Sequence, residues 1–179
     1  MKKKNLEKFY KDQFEEHILI AQRTEERIYE SFENIVQICV RAIKKNNKII
    51  IFGNGGSASD AQQIATELTV RFSKNRKAIA AIAITTDTSA LTAIGNDLGF
   101  KFLFSRQIEA IANHGDVALG ITTSGKSENI IIALKEAKKM KLNTIAFCGK
   151  NTERLHKITD EIVSIPAINT SRIQEMHIT

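Results

Sequence analysis

Between Leu6 and Asn46 the chain contains neither glycine nor proline, and its apolar positions recur at helical spacing. Phe32, Ile35, Val36, Cys39, Val40 and Ile43 follow the i, i+3, i+4, i+7, i+8, i+11 order of one buried helix face. This pattern predicts that the first forty-odd residues are helical, in two segments. Leu6, Phe9, Phe14 and Ile18 add a second apolar stripe, rich in aromatics. A small domain has little with which to cover such a stripe, and burial against further copies of the chain would cover it.

After Asn47 the pattern changes to short apolar runs separated by helix-length segments. KIIIF (48–52), AIAAIAIT (78–85), DVALGIT (116–122), NTIAFC (143–148) and EIVSI (161–165) read as parallel strands. The intervening segments 58–72, 88–112 and 127–141 have the length of crossover helices. The predicted fold is therefore α/β, a three-layer αβα sandwich with a five-stranded parallel sheet. Residues 1–179 form one domain in this reading, with 1–46 as a helical extension used in oligomer packing and 47–179 as the sandwich. Pro166, the only proline, closes the last strand.

Composition narrows the class. With 179 residues and 42% hydrophobic positions, the chain can bury one ordinary core. No apolar run is long enough to span a bilayer, and MKKKNLEKFYKD turns polar where a signal peptide would become apolar. The expectation is a cytoplasmic protein with no membrane partner. Its two cysteines, Cys39 and Cys148, fall on a helix face and a strand and read as core thiols. The net charge of +6 is spread along the chain, which suits an anionic small molecule better than nucleic acid.

In open α/β sheets, ligands bind beyond the carboxyl ends of the strands. Two loops there share one composition: GNGGS (53–57) and TTSGKS (122–127), each leading from a strand into a helix. A helix N-terminus presents unpaired N–H groups and a positive dipole end, and glycines let an anion approach them. Ser57, Thr122, Thr123, Ser124 and Ser127 add hydroxyl donors, so both loops suit a phosphate. The plainer alternative is that these residues merely cap the helices.

Two familiar motifs overlap these loops. GITTSGKS (120–127) has P-loop spacing, but neither NTIAFC nor EIVSI ends in the acidic residue that would hold magnesium. GNGGSA (53–58) fits a dinucleotide loop, but no acidic residue follows at about 20 positions to take a ribose hydroxyl. No nucleotide cofactor is expected.

GNGGSASDAQQIATEL (53–68), TDTSALTAIGNDLGF (86–100), GITTSGKSENII (120–131) and RIQEMHI (172–178) together resemble the phosphoheptose (sedoheptulose 7-phosphate) isomerases of the sugar isomerase, or SIS, class. The resemblance covers nearly the whole chain. It implies the SIS fold, a homotetramer packed through N-terminal helices, and a phosphorylated seven-carbon sugar as substrate. It further implies that Asn54, Gly55, Gly56 and Ser57 line the substrate and that Thr122, Thr123, Ser124 and Ser127 hold the phosphate. In the same way Asn96 and Asp97 would contact sugar hydroxyls, Glu67 would be the catalytic base, and Gln174 would touch the substrate.

Moving a proton between C1 and C2 through an enediol needs a carboxylate, an acid and a phosphate anchor, which agrees with this assignment. Asp60, Gln63 and Glu67 recur at i, i+3 and i+7, on the face that continues from the first loop. Zinc-containing members of the class would bind metal through Glu67, Gln174 and a histidine at the position held here by Gln63. A glutamine there puts zinc in question. The class's acid histidine would fall two helical turns after Gln174, past Thr179, which implies a longer natural chain. His177 then reads as a wall of the site or a satisfied structural histidine, and His17, His114 and His156 carry no assigned chemistry. The competing reading, from a similar GNGGSA loop, is a non-catalytic SIS-fold tetramer that binds the replication initiator DnaA.

Overall fold

The computed structural model describes residues 3–179, so the first two positions of the predicted N-terminal helix lie outside it. The elements in chain order are α1 (Lys3–Lys44), β1 (Ile49–Gly53), α2 (Gly56–Thr69), β2 (Ala81–Ala83) and α3 (Thr88–Asp97). A 3-10 turn (Phe100–Phe102) follows, then α4 (Ser105–Ile111), β3 (Val117–Thr122), α5 (Glu128–Lys139), β4 (Asn143–Cys148), β5 (Glu161–Ser164) and α6 (Thr170–Ile178). The five strands pair in parallel in the order β2-β1-β3-β4-β5. The predicted three-layer α/β architecture is the observed one.

The buried strands alternate between two cores. Ile50, Phe52, Ala118 and Ala146 point to the side covered by α4 and α5, with Phe104, Ile108, Ile131 and Leu134. Ile49, Ile51, Val117, Leu119 and Ile145 point to the side covered by α1 and α2, with Ile38, Ala42, Ala61 and Ala65. A third cluster, with Ile20, Val163, Ile165, Ile173 and Met176, seats α6 between α1 and β5.

Three expectations are corrected. The N-terminal region is one continuous helix of 42 residues rather than two, because nothing in it breaks the hydrogen-bond ladder before Asn46, whose φ is 60°. Its buried face is also rotated from the predicted one. Ile35, Ile38, Cys39, Ala42 and Ile43 pack on the sheet, whereas Phe32, Val36 and Val40 remain exposed with Leu6, Phe9, Phe14 and Ile18. Finally, segment 88–112 is not one crossover helix. Gly99 adopts φ 99° and splits it into α3, the 3-10 turn and α4.

At the amino edge of the sheet a buried carboxylate ties the layers. Asp116 accepts from Lys48 Nζ at 2.6 Å, from the Lys48 backbone N–H at 2.9 Å and from the Asn113 backbone N–H at 2.8 Å. Burial raises its pKa, but these donors outweigh burial and hold it below the ordinary carboxylate value. Among the described residues no helix is long and apolar enough to cross a membrane. Cys39 is half-buried and Cys148 buried; both are free thiols whose pKa burial pushes up, to about 11 and about 12.

Candidate active site

Strand register sets the site. Gly53 ends β1 opposite Ile121 of its neighbour β3, so the two glycine- and serine-rich loops leave adjacent strands at one level. They diverge into α2 on one side of the sheet and α5 on the other, and both helix N-termini therefore face the carboxyl edge. Position and chemistry here match the rule for open α/β sheets.

The capping contrast between helices is informative. Asp87 caps α3 by accepting from the Ala90 N–H, and Asn169 caps α6 by accepting from the Ser171 N–H. Gly55 and Ser127 stand at the cap positions of α2 and α5, and neither gives a side-chain cap bond. The reading of these loops as ordinary caps therefore fails for the two helices in question. On α2 the Ser57 and Ala58 N–H groups turn back to the Asn54 and Gly55 carbonyls at 3.0 Å, which leaves the Gly56 N–H for a ligand or solvent; on α5, where pairing to the Ser127 carbonyl begins at Ile130, the Glu128 and Asn129 N–H groups are left.

Hydrogen bonds within and between the loops fix their shape. Asn54 and Asn129 exchange amide bonds of 2.9 and 2.8 Å, joining the first loop to the first turn of α5. Thr122, buried, donates from its hydroxyl to Ser127 Oγ at 3.3 Å, and the Lys126 N–H donates to Ser124 Oγ at 3.2 Å. The Thr123 carbonyl accepts from the Gly149 N–H at 3.2 Å. Gly125 sits at φ 65° with the Asn151 carbonyl pressed against it, leaving no room for a Cβ. Ser57 is buried at the start of α2.

From the other end of the chain, α6 delivers Gln174. Its side-chain amide packs on Gly56 so closely that a Cβ there would collide with it. Gly56, Asp60, Gln63 and Glu67 then continue down one stripe of α2, at i, i+4, i+7 and i+11. Glu67 is half-buried and stands ten residues past Ser57, roughly 15 Å along the axis. Its Cβ, like every helical Cβ, tilts toward the helix N-terminus and the loops. Asp60 is part-buried with Oδ2 lacking a partner, and desolvation raises its pKa.

The predicted residues are thus brought together unevenly. Asn54, Gly55, Gly56, Ser57, Thr122, Thr123, Ser124, Ser127 and Gln174 converge at one edge. Asn96 and Asp97 do not join them: they are exposed at the end of α3, and the Asn96 amide donates to Asp97 at 2.7 Å. Asn129 was not singled out in the sequence, because a polar residue in a first helical turn carries no distinctive signal. His177 is buried beside Phe147, but both ring nitrogens lack partners, so of its two expected roles, site wall or satisfied structural histidine, the second does not hold. Burial dominates and pushes its pKa down to about 4.

The donors on this stripe of α2 and on α6 are the carboxylates of Asp60 and Glu67 and the neutral amides of Gln63 and Gln174, with no imidazole or thiolate among them. Zinc prefers imidazole and thiolate. Among the described residues no three His, Cys, Asp or Glu side chains converge on a metal-sized site. This donor set does not fit a zinc ion.

The sequence profile of the SIS domain matches residues 12–149. The chain belongs to the SIS domain family. This SIS domain is 47% identical over 171 residues to the phosphoheptose isomerase of Nitratiruptor sp., covering 93% of this chain and 91% of that one. It is 48% identical over 166 residues to phosphoheptose isomerase 1 of Campylobacter jejuni, covering 93% and 89%. Among solved structures, the phosphoheptose isomerase of Neisseria gonorrhoeae superposes with a TM-score of 0.91 at 39% identity, covering 97% of this SIS domain and 92% of the other chain.

Proposed function

We propose that this chain is an aldose–ketose isomerase that converts sedoheptulose 7-phosphate to D-glycero-D-manno-heptose 7-phosphate, a step toward bacterial heptoses. The observation that carries the reading is the pair of uncapped helix N-termini at one sheet edge, walled by serine and threonine hydroxyls, in a chain so similar to phosphoheptose isomerases. A dianionic phosphate suits the α5 end, where Thr122, Thr123, Ser124 and Ser127 supply hydroxyls. Asn54, Gly55, Gly56, Ser57 and Gln174 then line the sugar. Glu67 acts as the base that removes a proton from C1 of the ketose, giving an enediol, and the proton returns at C2. Asn96 and Asp97 belong to this reading through the family resemblance alone.

One domain, a cytoplasmic setting and a homotetramer complete the reading. What supports the tetramer is the exposed stripe of Leu6, Phe9, Phe14 and Ile18, each more than half accessible in the single chain. The test is incubation with sedoheptulose 7-phosphate, following aldose formation by NMR with and without a chelator. Turnover in both arms is the expected result. Binding of the phosphosugar without turnover would favour a binding module over an enzyme.

A further inference from the structure

Four consecutive residues of α6 reach three parts of the molecule. Arg172 turns to α1, Ile173 packs against Gly149 just after β4, Gln174 covers Gly56 at the head of α2, and Glu175 returns to α1. Arg172 is buried, and its Nε donates to Glu16 Oε2 at 3.0 Å, Nη1 to Glu175 Oε1 at 2.7 Å and Nη2 to Gln13 Oε1 at 2.6 Å. His17 Nδ1 donates to Glu175 Oε2 at 2.8 Å. Burial opposes charge on both partners, but the pairing wins: Arg172 is held above its usual pKa and Glu175 below its own.

A buried guanidinium tolerates few arrangements, because each N–H left unpaired carries a desolvation cost. This network therefore fixes the angle and depth of α6 against α1 more narrowly than apolar packing would. Gln174 lies between its two anchoring residues, and its own amide takes no part in the network. Its place over Gly56 is set by its neighbours.

We propose that His17, Arg172 and Glu175 are positioning residues: an ionic clamp between α1 and α6 that holds Gln174 at the first substrate loop. The inference rests on the reading of Gln174 as a residue that touches substrate. It ties the long N-terminal helix to the geometry of the site through His17, a side chain the sequence left without a role.

The test is steady-state kinetics on the full chain with sedoheptulose 7-phosphate for His17→Ala, His17→Asn, Gln174→Ala and the double variant His17→Ala with Gln174→Ala. His17 is partly exposed, so its replacement leaves the fold intact. His17→Ala should lower kcat/KM by about tenfold, the scale of coupling within one hydrogen-bond network. His17→Asn puts an amide N–H near the position of Nδ1 and should restore most of the loss. In the double variant, His17→Ala should cost nothing beyond Gln174→Ala, since the side chain being positioned is gone. Additive losses, or no recovery with asparagine, would overturn the clamp and leave the site reading standing. Unchanged turnover in Gln174→Ala would instead remove the substrate role of Gln174, and the clamp's purpose with it.

Discussion

Asn54 and Asn129 face each other with their amides in register, each donating Nδ2 to the other's Oδ1, at 2.9 and 2.8 Å. Asn129 is buried and Asn54 half-buried, so removal of either leaves the other's amide without its partner. Asn129→Ala should therefore loosen the GNGGS loop and raise KM for the phosphosugar on the order of tenfold, the equivalent of a lost buried hydrogen-bond partner. Kinetics at matched protein concentration check this, and an unchanged KM would mean that the loop holds its shape without the pair.

Gly56 sits under the Gln174 amide with no room for a methyl group. Gly56→Ala should displace Gln174 and depress kcat/KM, while costing little stability because the residue is solvent-exposed at a helix start. A melting curve alongside the kinetics separates the two effects. Full activity in this variant would exclude any role for the Gln174 contact.

Glu67→Gln keeps the shape of the side chain and removes the carboxylate. Turnover should fall to background while phosphate-end binding, read by calorimetry, persists. Retained turnover would dismiss Glu67 as the base.

The strands and both phosphate-type loops were legible in the sequence because burial on both faces writes continuous apolar runs such as IIIF, and glycine with serine marks where a chain must turn and cap. The split of residues 88–112 was less so: the segment holds two glycines, Gly95 and Gly99, and only Gly99 takes a left-handed φ while Gly95 stays within α3. The buried face of α1 was misread because Phe32, Val36 and Val40 are as apolar as the residues that do pack. Periodicity identifies a stripe but not what it meets. The contacts of Gln174 with Gly56, and of His17 with Glu175, join distant parts of the chain, and nothing local announces them.

His177 offers a pH test. Its folded pKa of about 4 lies below the ordinary 6.5, so the unfolded chain binds a proton between these values and the fold does not. Stability from this group is intact above pH 6.5 and declines as pH falls toward 4, by roughly 3 kcal/mol at most. Asp116 and Glu175, held below the ordinary carboxylate value, add their losses at lower pH. His177→Leu should flatten the slope between pH 6.5 and 4 in urea unfolding. An unchanged slope would show that the ring finds a proton partner.

Asp116→Asn should destabilise the fold by about 3 kcal/mol, because Lys48 loses a partner whose carboxylate is almost wholly buried. Denaturant unfolding at neutral pH measures it. Activity at low temperature should stay near normal, since this carboxylate lies at the opposite edge of the sheet from the loops.

The 42 residues of α1 give about 63 Å of helix. From Gln13 it is hydrogen-bonded to α6, and from Ile20 onward it is packed on α6, β5 and the sheet, whereas Phe9 and its neighbours meet no core of their own. One unbroken helix therefore carries two regimes of amide exchange. Amides near Ile38 and Ala42 open only with the whole domain, and those near Phe9 open by local fraying until something covers them. The protection gradient along this single element is a built-in record of whether the stripe is occupied.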